Sequence, residues 1–379
     1  MIVPAPAGQL PSALPPLYAS WMGEVLSGPI PSEPNATCSD CAMCKPSREA
    51  PTPHQRLFTT TQKCCTYMPT LWNFLVGRVL DENTSDTVNG RVSVERRIDR
   101  KVAVSPLGLM MTPLFELLYK TSPDAFGRSS ALRCPHYLAD QGGTCGVWRH
   151  RNAVCATYFC KIERGLIGRE FWGRVRQLFE AVEAQLARWC LVQLDIEAEV
   201  LKALFPRHGV PHDVLGPTVE PRGEEAVALH DRIWGKRWSG REREFYVECG
   251  RLVSSLSWLD VTRLCGPDVH VFVHLAQDAY AALLAENVPD RLRLETINIM
   301  PGAGAATYVR TYSATDMLAV PRKLLDVLHL FDGQRTTDAA VEEIANRTGI
   351  EMERSLLRKL VDFGVLTPVP ATLTPSGPA

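Results

Sequence analysis

No uninterrupted apolar run of about 18 residues occurs in the chain, so no membrane-spanning helix is expected. The opening Met1-Ile2-Val3-Pro4-Ala5-Pro6-Ala7-Gly8 has neither a basic start nor a long apolar stretch, so it does not read as a secretory signal. An excess of charge is missing too. A net charge of −1, with 22% charged residues, gives no bulk pull towards nucleic acid or an anionic membrane. The chain has no Gly-x-x-x-x-Gly-Lys-Ser/Thr phosphate loop, no His-Glu-x-x-His, no Gly-x-Ser-x-Gly, and no Gly-x-Gly-x-x-Gly after a strand. Pro301-Gly302-Ala303-Gly304-Ala305-Ala306 mimics a nucleotide loop, but no crossover helix follows it. No set of nucleophile, base and acid can be nominated.

What the chain does have is cysteine in one place. Of 12 cysteines, nine lie between Cys38 and Cys160: Cys38, Cys41, Cys44, Cys64, Cys65, Cys134, Cys145, Cys155 and Cys160. The first three form a C-x2-C-x2-C run, and Cys64-Cys65 is a doublet. Without export the compartment is expected to be cytoplasmic and reducing, which argues against disulfides. Soft thiolates at short spacings are the ligands of zinc or of iron–sulfur clusters. A zinc site takes four ligands, as does a cluster, so nine cysteines could supply either kind twice with one left over; the residues leave zinc and iron–sulfur open. The C-x3-C-P that completes a bacterial ferredoxin motif is missing. Neighbouring thiolates repel, so one of Cys64 and Cys65 is expected to point away from any shared metal. His54, His136 and His150 could replace a thiolate, His136 best because it lies two residues from Cys134. Arg149, Arg151 and Lys161 flank the late cysteines, where their charge would offset thiolate charge; the plainer reading of each is a solvated surface charge.

At 379 residues and 45% apolar, the chain can fill two or three domains. Residues 1–37 read as a proline-rich arm that packs, if anywhere, through Tyr18 and Trp21. Residues 38–165 read as a loop-rich cysteine domain. Within it, a helix is expected to begin near Pro69, 91–101 is charged and helical or exposed, and Leu107–Tyr119 is apolar and expected to be buried. Residues 166–288 read as a helical domain. Phe171, Val175, Leu178, Val182, Leu186 and Trp189 recur at helical spacing, and a proline- and glycine-rich break follows at 206–221. Cys190, Cys249 and Cys265 each stand alone in this region and read as packing thiols. Residues 289–370 alternate as strands at Leu292–Ile299 and Ala306–Tyr312. Three helical segments follow, at Pro321–Phe331, Thr337–Arg347 and Glu351–Phe363, with a closing strand or wing near Val365. Residues 371–379 read as a tail. The fold class expected is mainly α with small β elements (α+β).

Two resemblances attach to these residues. Cys134-Pro135-His136-Tyr137-Leu138, the turn Gln141-Gly142-Gly143-Thr144-Cys145, then Gly146-Val147-Trp148, Arg149-x-Arg151, Cys155 and Phe159-Cys160 resemble the YkgJ-type cysteine-cluster proteins, described as a zinc- or iron-chelating domain. Their early signature C-x2-C-x2-C-C matches Cys38, Cys41 and Cys44, but Lys45 stands where the fourth cysteine would be, and Arg151-Asn152 replaces their Arg-Pro. Over about a third of the chain, the resemblance implies a metal or cluster site without implying one reaction. Leu328-His329-Leu330-Phe331-Asp332-Gly333, the following helix, Leu356-x3-Leu360 and Gly364-Val365-Leu366 are similar to PqqD-like winged-helix modules, which implies a docked peptide or protein. Between Pro321 and Phe363, seven basic residues face eight acidic ones, so a phosphate backbone is not the expected partner. The leading expectation is a metal-binding protein with a C-terminal docking module. An enzyme akin to the flagellin lysine methylases, which carry a related cluster, and a metal- or redox-sensing regulator are the alternatives.

Overall fold

The computed structural model describes residues 14–36, 38, 41–44, 58–84, 87–205, 224–301, 306–313 and 316–369. His54, the break at 206–221, the turn at 302–305 and the tail at 371–379 lie outside the described residues. The described chain is mainly helical with small antiparallel sheets, and none of its helices is long and apolar enough to cross a membrane. It forms two compact units. The first gathers the described residues up to Cys44, then Leu57–Tyr158 and Trp172–Asp278; the second gathers Phe159–Phe171 and the described residues from Ala279 onward. The helical stretch expected over 166–288 is thus divided between them.

The first unit begins with α1 (Pro16–Val25), set by Pro16 at its first position, which buries Tyr18, Trp21 and Met22. The Tyr18 ring stacks on Phe179 at 4.4 Å and Trp21 lies 6.0 Å from Trp258. Strand β1 (Leu71–Trp72) leads straight into α2 (Asn73–Asp81). The helix starts later than Pro69, after strand β1, with Trp72 as its N-cap residue and buried Asn73 tying its first turn to neighbouring chain. Its Nδ2 donates to the Pro106 and Ala187 carbonyls at 3.0 and 2.9 Å, and its Oδ1 accepts from Phe74 N–H at 2.7 Å. Then come α3 (Val88–Asp99), β2 (Val104–Ser105), β3 (Gly108–Leu109) and α4 (Pro113–Thr121), with β1, β3 and β2 forming one antiparallel sheet. Thr112 caps α4 by accepting from Phe115 N–H. Leu107 and Leu109 are buried as the sequence suggests, but α4 buries only Phe115 and leaves Leu114, Leu117 and Leu118 exposed.

A short hairpin follows, β4 (Tyr137–Leu138) against β5 (Thr144–Cys145), and then the four-residue α5 (Ala153–Ala156). The long α6 (Gly165–Gln193) carries the apolar stripe, with Val175, Leu178, Val182 and Leu186 fully buried. The remaining helices are α7 (Ala198–Leu204), α8 (Glu224–Trp238), α9 (Glu242–Ser254), α10 (Trp258–Cys265) and α11 (Pro267–Leu284). Trp234 and Trp238 are core residues, packed edge-on against Phe245.

In the second unit, β6 (Leu292–Leu294) precedes β7 (Asn298–Pro301), β8 (Ala306–Arg310) and β9 (Leu318–Pro321). The expected strand Leu292–Ile299 is therefore two strands. The expected helix Pro321–Phe331 is only α12 (Arg322–Leu325) with a single tight turn at Leu328–Leu330. Then come α13 (Thr337–Thr348), α14 (Arg354–Asp362) and β10 (Leu366–Pro368), which pairs with β6. Thr336 caps α13 and Gly349 ends it at a left-handed φ of 69°. Leu292, Val309, Val320, Leu328, Phe331, Ile344, Leu360 and Leu366 make a core wholly inside this unit. Asp362, 4% exposed, pairs with Arg164 and with Arg358 at 2.9 Å.

Candidate metal centre

The early cysteines sit in turns, not helices. Cys44 N–H donates to the Cys41 carbonyl at 3.0 Å, and Phe58 N–H to the Met43 carbonyl at 2.8 Å. Lys63, just before the doublet, has a left-handed φ of 52°. Its ammonium is buried, and it donates to three carbonyls: Cys38 at 2.7 Å, Gly142 at 3.0 Å and Gly143 at 2.8 Å. One side chain thus ties the first cysteine segment to the glycine turn before Cys145. Gly143 has φ +70°, and a Cβ there would stand 2.2 Å from the Tyr137 hydroxyl and 3.2 Å from Lys63 Nζ, so glycine keeps this junction open. Cys134 N–H donates to the Cys65 carbonyl at 2.8 Å, bringing the doublet to the late segment.

The late cysteines are set by the hairpin and by α5. Tyr137 lies opposite Cys145 in the β4–β5 register. Asn152 caps α5 through its Oδ1, which accepts from Cys155 N–H at 3.1 Å, and this fixes the backbone at Cys155.

The centre of this region is Arg151. Its guanidinium is 7% exposed and stacks on the Trp148 ring at 3.4 Å, and its Nε donates to the Trp148 carbonyl at 3.0 Å. Burial pulls its pKa down, and four thiols act against that: Cys145, Cys155, Cys38 and Cys64. These come from three separate stretches of chain. Cys38 hydrogen bonds to the Cys64 sulfur, and that bond, with burial, pushes its thiol well up. Burial likewise raises Cys145 and Cys155, and for both the Arg151 charge works in the opposite direction. The raised thiols Cys38, Cys145 and Cys155 favour the protonated form in the absence of a further cation.

Cys65, Cys44 and Cys41 act on the Tyr137 hydroxyl. After burial, their charge is what raises the Tyr137 hydroxyl most. Cys44 Sγ also donates to the Thr59 carbonyl at 3.6 Å. Cys134 stands between arrangements. It is raised by burial and by the neighbouring thiols Cys145 and Cys155, with the His136 backbone and then the Arg97 charge working the other way. Arg97 Nη2 donates to the Met110 carbonyl at 2.6 Å, while its buried Nη1 has no partner among the described residues. Cys160, half-buried, belongs to the second unit.

The histidines divide as well. His136 is fully buried, its Nδ1 2.8 Å from Ser93 Oγ and its Nε2 without a partner among the described residues. Ser93 Oγ donates to the Gly90 carbonyl at 2.6 Å, which leaves it to accept from His136 Nδ1–H. Burial, with Arg97 beside it, lowers the pKa of this imidazole to about 3. His150 Nε2 pairs with Glu82, so it is engaged away from the thiols. Arg149 joins the same carboxylate at 2.8 Å, and Lys161 pairs with Asp316 at 3.1 Å.

One residue the sequence does not flag is Glu183. It lies on the apolar face of α6, 1% exposed, and accepts from Tyr18 OH, from Ala153 N–H at 2.7 Å and from Trp72 Nε1–H at 3.0 Å. Its charge also reaches Cys155. Cys190 and Cys249, expected to stand alone, meet in the helical core, where Cys190 Sγ donates to the Cys249 carbonyl at 3.9 Å; Cys265 is buried apart from them.

Among the described residues, no three His, Cys, Asp or Glu side chains are drawn together closely enough to hold a metal ion. Thiols are the right kind of donor for zinc or an iron–sulfur cluster, and the buried Arg151 charge suits an anionic centre. Their side chains would still have to turn inwards to ligate, as ligands of a metal-coupled fold commonly do. No protein-family model, curated protein or solved structure matches the chain.

Proposed function

We propose that this is a cytoplasmic metal-binding protein: a cysteine-ligated domain, holding zinc or an iron–sulfur cluster, joined through a helical region to a winged-helix-like module that docks a peptide or protein. The concentration of nine of the 12 cysteines between Cys38 and Cys160 carries the metal reading, and the Arg151 charge is felt by thiols from three separate segments of that stretch. Packing alone offers no reason to hold thiols from three segments against a charge, whereas ligation does. Bound there, a metal would draw the loop segments together, since structural zinc contributes about 10–16 kcal/mol to folding in small zinc peptides. Anaerobic purification with metal analysis and a visible spectrum tests it. Broad brown absorption means a cluster, and a colourless protein with stoichiometric zinc means zinc. A metal-free protein of full stability ends the reading.

The docking reading rests on β7. Among the described residues it has β8 as its only neighbour, and Ile299 on it is 47% exposed. An extended peptide could add as a fourth strand there, with backbone hydrogen bonds supplying affinity. The helices nearby present little free positive charge: Arg322, Arg335 and Arg347 each pair with Asp326, Asp332 and Glu343 respectively. Peptide and random duplex DNA offered to the full chain decide the point. Tight DNA binding at physiological salt with no peptide bound would replace docking by the regulator alternative.

A further inference from the structure

The buried cation Lys63 is held by backbone alone. The residue is 7% exposed, and its Nζ donates to three carbonyls: Cys38 at 2.7 Å, Gly142 at 3.0 Å and Gly143 at 2.8 Å. Three acceptors use all three N–H bonds of an ammonium, and a neutral amine has only two. Among the described residues no carboxylate pairs with it. The chain is shaped to this arrangement on both sides. Lys63 itself takes a left-handed φ of 52°, which strains a residue with a Cβ. Gly142 and Gly143 follow one another at φ 71° and 70°, conformations that glycine adopts freely, and both turn a carbonyl to the same nitrogen. Gly143 N–H closes onto the Leu138 carbonyl at 3.2 Å, so these two carbonyls belong to the β4–β5 hairpin.

From this geometry we propose that Lys63 is an internal cation seated in a three-carbonyl site, and that this site fixes where the Cys38 segment meets the hairpin leading to Cys145. Carbonyl oxygens converging on a point are the donors with which backbones hold monovalent cations. Here the cation is tethered, so the site fills without capturing an ion. A compact ammonium suits converging oxygens, where the flat fork of a guanidinium does not. Charge matters as well as reach, because hydrogen bonds from a charged donor are roughly twice as strong as neutral ones. The joint is local: it sets where two segments meet and leaves the ordering of the chain between them to other forces. Lys63 is thus a positioning residue, and no thiol is assigned to a metal by it. The functional consequence rests on the metal reading above: the first cysteine segment is brought to the hairpin before any ligand is engaged.

The test uses the full chain, purified anaerobically and stripped with chelator, and reads alkylation of each cysteine by mass spectrometry. Lys63→Met keeps the length of the side chain and removes its charge. It should open Cys38 and Cys145 to alkylation about 10–100-fold faster than in the wild type, the factor expected for losing hydrogen bonds from a charged donor. Cys190 and Cys249, buried in the helical core, should stay protected. Lys63→Ala should behave like Lys63→Met, but added n-propylammonium should restore much of the protection by refilling the site. Tetramethylammonium at the same ionic strength has no N–H to donate and should restore none. Acetylation of the stripped wild type covers the case in which the variants fail to fold: Lys63 should react far more slowly than the exposed Lys120 and Lys202. Equal alkylation of Cys38 and Cys145 in wild type and folded Lys63→Met would overturn the joint, as would Lys63 acetylating as fast as Lys120. Opening in Lys63→Ala that propylammonium does not reverse would make the side chain a packing element and overturn the cation site. None of these measurements needs a metal, so a wild type that binds none ends the metal reading alone.

Discussion

Glu183 shows how a single residue can set the pH behaviour of the first unit. Burial pushes its carboxyl up to about 8, although the Tyr18, Ala153 and Trp72 donors all favour the charged form. In the unfolded chain the same group titrates near 4.5. Between those values the folded protein keeps a proton that the unfolded chain has lost. The stability linked to Glu183 is therefore complete below about pH 4.5, declines as pH rises, and levels off above about pH 8. One extra bound proton corresponds to a slope of ~1.4 kcal/mol per pH unit. Glu183→Gln should flatten that decline in urea melts taken from pH 5 to pH 8. Parallel curves for variant and wild type would mean that the carboxylate is already ionised in the fold. The sequence gives no hint of this group, because a glutamate beside Val182 reads as the polar flank of a stripe, and its partners lie 165, 111 and 30 positions away. The cysteines were more legible, since thiol clustering is a compositional signal. Their division was not: which thiols share Arg151 depends on the carbonyls that Lys63 bridges, and those meet only in three dimensions.

Among elements, the crossing of α2 and α9 depends on two glycines that local sequence does not mark. A Cβ on Gly77 would stand 1.8 Å from the Tyr246 carbonyl oxygen, and one on Gly250 would stand 2.9 Å from Arg78 N. Both obstacles are backbone, so neither can rotate away. Tyr246 is held in turn by its hydroxyl, which donates to the Ser105 carbonyl at 2.7 Å. Gly77→Ala should therefore cost about 1–3 kcal/mol or more by forcing the helices apart. Gly23→Ala in α1, where nothing lies within 4 Å of the added Cβ, should instead stabilise by about 0.5–1 kcal/mol. Urea melts of the two variants make the comparison, and equal effects would rule out a tight crossing. Periodic elements were readable in advance: the stripe from Val175 to Leu186 is buried, and α13 and α14 lie where capping and spacing put them. Short apolar runs were not. Leu107–Tyr119 contains both a buried strand and a helix with three exposed leucines, and hydrophobicity alone does not separate a core strand from a helix capped at Thr112. Pro321–Phe331 has helical spacing, yet it is interrupted after Leu325, where tertiary packing of Val327 and Leu328 overrides propensity.

For the whole molecule, the two units are stabilised by different means. The second has a continuous apolar core from Leu292 to Leu366, with its buried carboxylate Asp362 paired to Arg164 and Arg358. The first has its own helical core around α6, but its early cysteines and the Cys134–Cys145 segment sit in turns and two-residue strands. Short turns and the carbonyl-bound Lys63 offset little of the entropy of ordering those loop segments, at about 1–2 kcal/mol per residue. On the metal reading, ligation supplies what that region lacks. A chelator added to metal-loaded protein should then move one calorimetric transition and leave the other. The transition that moves should be accompanied by release of thiols to alkylation among the cysteines from Cys38 to Cys155. The second should track the far-ultraviolet signal of the unit holding α13 and α14, and an Ile344→Ala substitution in its core should lower it alone, by the equivalent of about 2–5 kcal/mol. Coincident transitions that both shift with chelator would show that metal binding supports the second unit as well. A chelator that shifts neither would leave the cysteine region standing on its hydrogen bonds, with Lys63 and Arg151 as its main struts and no metal needed to hold them.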